Sequence, residues 1–151
     1  MESDYCYPIA GFAIKRIIIN DDLSIYSVII ESGITKTNFP TVLETLQEIF
    51  DMLSQERIRF GFVIDLTQYT KRCYKIASMF IAFLRNNKRI MEDLCNANVI
   101  LIRRNFIMMH FIQNIFTRLY KPVAPLQISD DPNELIAFMN SNNTPLENIW
   151  G

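Results

Sequence analysis

The chain has 151 residues, half of them hydrophobic and 21% charged, with a net charge of −1. That is the length of one domain with ample material for a core, which excludes global disorder and gives no reason for a second domain. The near-neutral balance offers no basic excess to hold nucleic acid, and the 4 glycines leave little for a phosphate-cradling loop.

Residues 1–10, MESDYCYPIA, are acidic and lack a basic segment followed by an apolar one. They read as an N-terminal tail and not as a secretory signal. Phe12 to Ile19 (FAIKRIII) is β-branched and reads as a strand, with Lys15 and Arg16 marking an edge or a solvated face. Asn20-Asp21-Asp22 is turn chemistry, so Leu23 to Ile30 (LSIYSVII) is expected to pair antiparallel with the first strand. A helix is expected from about Pro40 to Gln55. There Phe39, Val42, Leu43, Leu46, Ile49, Phe50 and Leu53 make one apolar stripe, Asn38 suits the cap and Pro40 the first turn.

Phe60 to Leu66 (FGFVIDL) reads as a central strand covered on both faces. A helical segment follows from about Cys73 to Asn87, and Lys88 to Leu94 either continues it or breaks away. Val99 to Ile102 is a further buried strand, ended by Arg103 and Arg104. From Asn105 to Tyr120 the spacing predicts an amphipathic helix. Its stripe is Ile107, Met108, Phe111, Ile112, Ile115, Phe116 and Leu119, with Phe106 and Met109 off it. Pro122 stops that helix. Val123 to Ile128 is a last strand, which Pro125 confines to an edge or a strand start. Asp131 caps a closing helix that begins at Pro132 and runs to about Met139. The chain divides into a tail (1–10), one domain (11–140) and a C-terminal tail (141–151) whose Leu146, Ile149 and Trp150 have the character to fold back.

The order is β-β-α-β-α-β-α-β-α, the pattern of an α/β fold with a mixed, mostly parallel sheet and helices packed on it. Three segments carry a resemblance to a known family: FGFVIDLTQYTKR, ANVILIRRNFIMMHFIQNIFTRLYKPVAPLQI and SDDPNELIAFM. The succession resembles the STAS domain of the SpoIIAA-like and CRAL-TRIO superfamily. The resemblance implies a small regulatory or structural interaction module. Signalling members carry a phosphorylatable Asp-Ser motif at the start of the helix after the central strand. Here that stretch is Thr70-Lys71-Arg72-Cys73-Tyr74-Lys75, so a phosphoserine switch of that kind is not expected, and the hydroxyls of 67–74 read as ordinary loop groups.

Enzyme chemistry is not expected. The one histidine, His110, falls on the polar side of its helix, and no hydrolase, P-loop or zinc-protease motif occurs. Cys6, Cys73 and Cys95 are too far apart for a zinc site, read as reduced thiols, and no metal or cofactor is expected. Asp65 closes a strand where ligands collect in open α/β sheets, but it also suits a purely structural role in the next loop. With Lys71, Arg72, Arg103 and Arg104 it forms a candidate anion or partner rim.

The hydrophobic excess is the less ordinary feature. Ile76 to Leu84 (IASMFIAFL) is apolar on nearly every side, yet far short of the ~20 residues of a membrane span. Met79, Phe80, Phe83, Phe106 and Met109 are therefore the candidate surface for a partner protein or a second copy of the chain. The alternative is a carrier or sensor of a small apolar ligand or lipid, with Met79, Met108 and Met109 as lining. The sequence is read as intracellular and cytoplasmic, without an integral membrane segment or a nucleic-acid partner.

Overall fold

The computed structural model describes residues 2–5 and 11–150. Strand β1 (Glu2–Tyr5) pairs antiparallel with β2 (Phe12–Asn20), and β2 pairs antiparallel with β3 (Leu23–Ile30). Two residues separate β2 from β3, and the Asn20 side chain accepts from the Asp22 amide at 2.8 Å, so the chain has room only for a hairpin. Part of the expected N-terminal tail is thus a strand, and the rest of it, Cys6 included, lies outside the described residues. β2 is not the edge that Lys15 and Arg16 suggested, because β1 covers it.

From β3 onward the strands run parallel: β3 with β4 (Arg59–Asp65), β4 with β5 (Cys95–Leu101), and β5 with β6 (Leu126–Ser129). The sheet order is β1-β2-β3-β4-β5-β6, the order of the sequence itself. Successive right-handed crossovers that always step the same way must put their helices on one face. Those helices are α1 (Phe39–Glu56), α2 (Tyr74–Asn86), α3 (Lys88–Leu94) and α4 (Phe106–Leu119). Among the described residues only α5 (Pro132–Ser141), which follows β6, is left for the other face.

Strand alternation divides the core accordingly. Ile14, Tyr26, Val28, Phe60, Phe62, Ile64 and Ile100 meet the buried stripes of α1 to α4 in the larger core. Ile25, Val63, Val99 and Leu101 point the other way and meet Leu135 and Met139 of α5. Leu146 is buried in this second core, with Ile149 and Trp150 packed against it, so the C-terminal segment does fold back.

Local chemistry sets the helix boundaries. Asp131 accepts from the Asn133 amide at 2.9 Å and Pro132 opens α5, as its sequence suggests. Asn38 makes no cap. Its carboxamide oxygen instead accepts from the Thr35 amide at 2.7 Å, shaping the loop before α1. Asn105 does cap α4, accepting from the amides of Ile107 and Met108 at 3.0 and 3.1 Å. The break between α2 and α3 falls at Asn87. Its buried side chain exchanges two hydrogen bonds of 2.9 Å with Gln47 of α1 and donates to the Phe83 carbonyl at 2.9 Å. A buried amide satisfied in this way fixes the junction.

Candidate functional site

In a parallel sheet the loops after the strands and the starts of the next helices gather at one edge. Here the outlets of the neighbouring strands β4 and β5 bring the first turns of α2 and α4 together. The Tyr74 ring of α2 stands edge-on to Phe111 of α4, with centroids 5.0 Å apart. Ile107 lies one turn before Phe111 on the same side of α4. Phe106 stacks on His110 at 6.0 Å. Phe106 is 83% exposed, Tyr74 63% and Ile107 56%, the three largest exposures of any large hydrophobic side chain among the described residues. They make one apolar patch.

Cations surround it. Lys71, Arg72 and Lys75 flank Tyr74, and Arg103 and Arg104 precede Phe106, all exposed. Among the described residues only Arg104 of these five forms an ion pair, with Asp130 at 3.4 Å.

The residues picked from sequence separate into three groups. Phe106, with the rim residues Lys71, Arg72, Arg103 and Arg104, sits at this edge. Met79, Phe80 and Met109 are half-buried against the larger core. Phe83 is 6% exposed, stacked on Phe80 at 6.2 Å and tilted against Phe50 at 5.3 Å, so it is a core side chain and not a surface one. Asp65 is buried and accepts from the Thr67 amide at 2.9 Å and the Thr67 hydroxyl at 2.6 Å. It holds the loop rather than the rim. Tyr74 and Ile107 were missed as surface residues. Tyr74 has no stripe to mark it, and Ile107 continues a stripe whose burial starts only at Met108.

Behind the patch is a small apolar cavity of about 60 Å³ between α2, α4 and the sheet. Tyr69 lines it, and its buried hydroxyl has no hydrogen-bond partner. Burial, followed by the nearby Cys73 thiol, pushes the Tyr69 phenol up to about 12. Cys95 at the start of β5 is also pushed up to about 12, chiefly by burial. Both groups are acids held neutral by the fold. Between the ordinary values, 9.0 for the thiol and 10.0 for the phenol, and about 12, the unfolded chain releases protons that the folded chain keeps. Stability should therefore fall as pH rises through that window. Denaturant melts at pH 8 and pH 11 check this, and Cys95→Ala should flatten the lower part of the fall.

Comparison with protein-family models, with curated proteins and with solved structures returns no match. Among the described residues no helix is long and apolar enough to cross a membrane, and no three His, Cys, Asp or Glu side chains gather to hold a metal ion.

Proposed function

We propose that the chain is a non-catalytic, STAS-like interaction module that docks on a partner protein through the patch of Tyr74, Phe106 and Ile107. The observation that carries this is the coincidence of the three most exposed large hydrophobics with five exposed cations at one edge. Isolated exposed apolar side chains are ordinary, but a contiguous group with a polar rim marks a contact surface. The order of an initial hairpin followed by alternating helices and parallel strands supports the STAS-like reading, and the hydrogen bonds that occupy Asp65 support the non-catalytic one.

The rim charge selects the kind of partner. A symmetric dimer through this patch would set cations against the same cations. An apolar segment of another protein flanked by Asp and Glu meets no such repulsion and gains attraction over the rim. Docking on a different, acidic protein is thus favoured over self-association.

Photo-crosslinking from position 106, against position 48 on the exposed side of α1, tests the assignment in cells. Position 106 is expected to capture another protein, and a variant carrying Arg72→Glu and Arg103→Glu should lose that product while keeping its melting temperature. Equal capture from both positions, or a crosslink only between copies of the chain, would overturn the reading. Loss of capture from the cytosol together with co-sedimentation on anionic vesicles would replace the protein partner with a lipid surface.

A further inference from the structure

We propose that the outer edge of β6 is an interface between two copies of this chain, joined about a two-fold axis at Gln127 so that their sheets become one. The first observation is that the edge is open. β6 ends the sheet, and among the described residues no strand pairs with its outer side. The Asn98 amide donates to the Pro125 carbonyl at 2.8 Å, and the Ile102 amide donates to the Ser129 carbonyl at 3.0 Å. A strand bonds one neighbour through alternate residues, so Pro125, Gln127 and Ser129 serve β5. Leu126 and Ile128 therefore turn their N–H and C=O groups outward.

Beyond its shortness, β6 has little of the protection usual at an exposed edge, which comes from charged side chains, proline or a bulge. Its sequence, LQIS, has no charge, whereas β1 at the opposite edge reads ESDY. Its register with β5 runs without a shift. Pro125 lacks its N–H on the side that faces β5, so it removes no donor from the outer side.

The groove beside the edge selects the occupant. It runs between β6 and α4 over the buried Phe116 and Tyr120, with Leu126 and Ile128 half-buried along it. A strand added at β6 points every second side chain into that groove, so it fits best with apolar residues two apart. β6 is itself such a strand. Leu126 and Ile128 pack on the larger core, while Gln127, in register with Val99, lies on the other face. About a two-fold axis at Gln127, Leu126 of each copy stands opposite Ile128 of the other. Each such pair exchanges both hydrogen bonds, and every outward N–H and C=O of the two residues finds a partner.

Charge does not oppose this contact. Lys121 is the one charged residue along the groove. It lies past the end of α4, so the axis sends its two copies to opposite ends of the seam. Gln113 and Thr117, the exposed residues of α4 along the groove, are neutral. The surface is distinct from the patch of Tyr74, Phe106 and Ile107, where the same symmetry would set cations against cations. Strand direction reverses across the axis, so one patch is left open at each end of the dimer.

Sedimentation equilibrium of the full chain is expected to show the mass rising to twice that of one copy as concentration rises. Ile128→Pro deletes an outward N–H and no bond to β5, so it should give a folded monomer. Gln127→Cys puts two thiols on a non-hydrogen-bonded pair with Cα atoms ~4.5 Å apart, within disulfide reach. In a chain with Cys6→Ser and Cys73→Ser, mild oxidation should link that variant into a dimer and leave Glu48→Cys unlinked. Arg72→Glu with Arg103→Glu should keep the dimer. The proposal is overturned by a monomer at every concentration, by a dimer that survives Ile128→Pro or is lost on charge reversal at the patch, or by linkage no better at 127 than at 48. If Ile128→Pro fails to fold, the comparison of 127 with 48 still decides it.

Discussion

Phe50→Ala is expected to cost about 3–5 kcal/mol, the usual loss when a buried phenylalanine is truncated in a core that cannot collapse around it. Phe50 is 2% exposed and belongs to α1, yet its ring meets Phe60 and Phe62 of β4 at 5.2 and 5.8 Å and Phe83 of α2 at 5.3 Å. The vacated space is bordered by two strand residues and a second helix, and neither can close in without pulling its own element off register. Against a typical total of about 5–15 kcal/mol, such a loss removes a large part of the stability. The check is the urea midpoint at unchanged slope. Phe50→Leu, which refills most of the volume, should recover more than half of the shift. A loss under about 1 kcal/mol for the alanine variant would mean that this ring cluster is not the centre of the larger core.

Gly61→Val is expected to strike the opposite face. Gly61 lies in β4 beneath the C-terminal segment. A Cβ there would stand 2.6 Å from the Thr144 methyl and 2.7 Å from the Met139 terminal methyl. Met139 has a flexible end that can yield. Thr144 cannot easily move, because it is fully buried, its amide donates to the Met139 carbonyl at 3.0 Å, and the preceding Asn143 already holds a positive φ of 59°. Two added methyls on top of that Cβ should lift residues 144–150 off the sheet and cost at least the ~1–3 kcal/mol of ordinary overpacking. Trp150 is the one tryptophan and packs against this second core, so its fluorescence reports the event directly. Emission should be red-shifted in the variant before any denaturant is added. Unchanged emission with unchanged stability would show that the segment is not seated on Gly61.

Most of the architecture was legible in the sequence because periodicity and turn chemistry are local. The stripe from Phe39 to Leu53, the hairpin turn at Asn20 and the Asp131-Pro132 helix start each need only a few neighbouring residues to be read. β1 was hidden because Glu2–Tyr5 is acidic and has no apolar alternation, and only its pairing partner makes it a strand. The candidate site was half legible. The basic rim follows from strand ends, which sequence locates well. Which apolar residues reach solvent does not follow, because a stripe tells which side of a helix is buried and not where along its length the cover stops. That is why Phe83 was placed outside and Ile107 inside, the reverse of what the structure shows. The orphaned Tyr69 hydroxyl has no sequence signature at all, since it depends on a loop that Ser32, from a distant part of the chain, fixes through the Gln68 carbonyl and the Thr70 amide.

The strictly sequential strand order also has a meaning for how the protein is made. Every strand pairs with one synthesised just before or after it, so the sheet can grow outward from the β2–β3 hairpin as the chain leaves the ribosome. The helices on the larger core are made between the strands they cover, and that face is sealed as it grows. The face built from Ile25, Val63, Val99 and Leu101 has no such provision. Its cover, α5 and Leu146, is synthesised only after all six strands, so between the completion of β5 and the arrival of that cover a finished apolar surface stands open. A ribosome stalled just after β6 should therefore hold its nascent chain to a chaperone, and one that has released α5 and residues 144–150 should not.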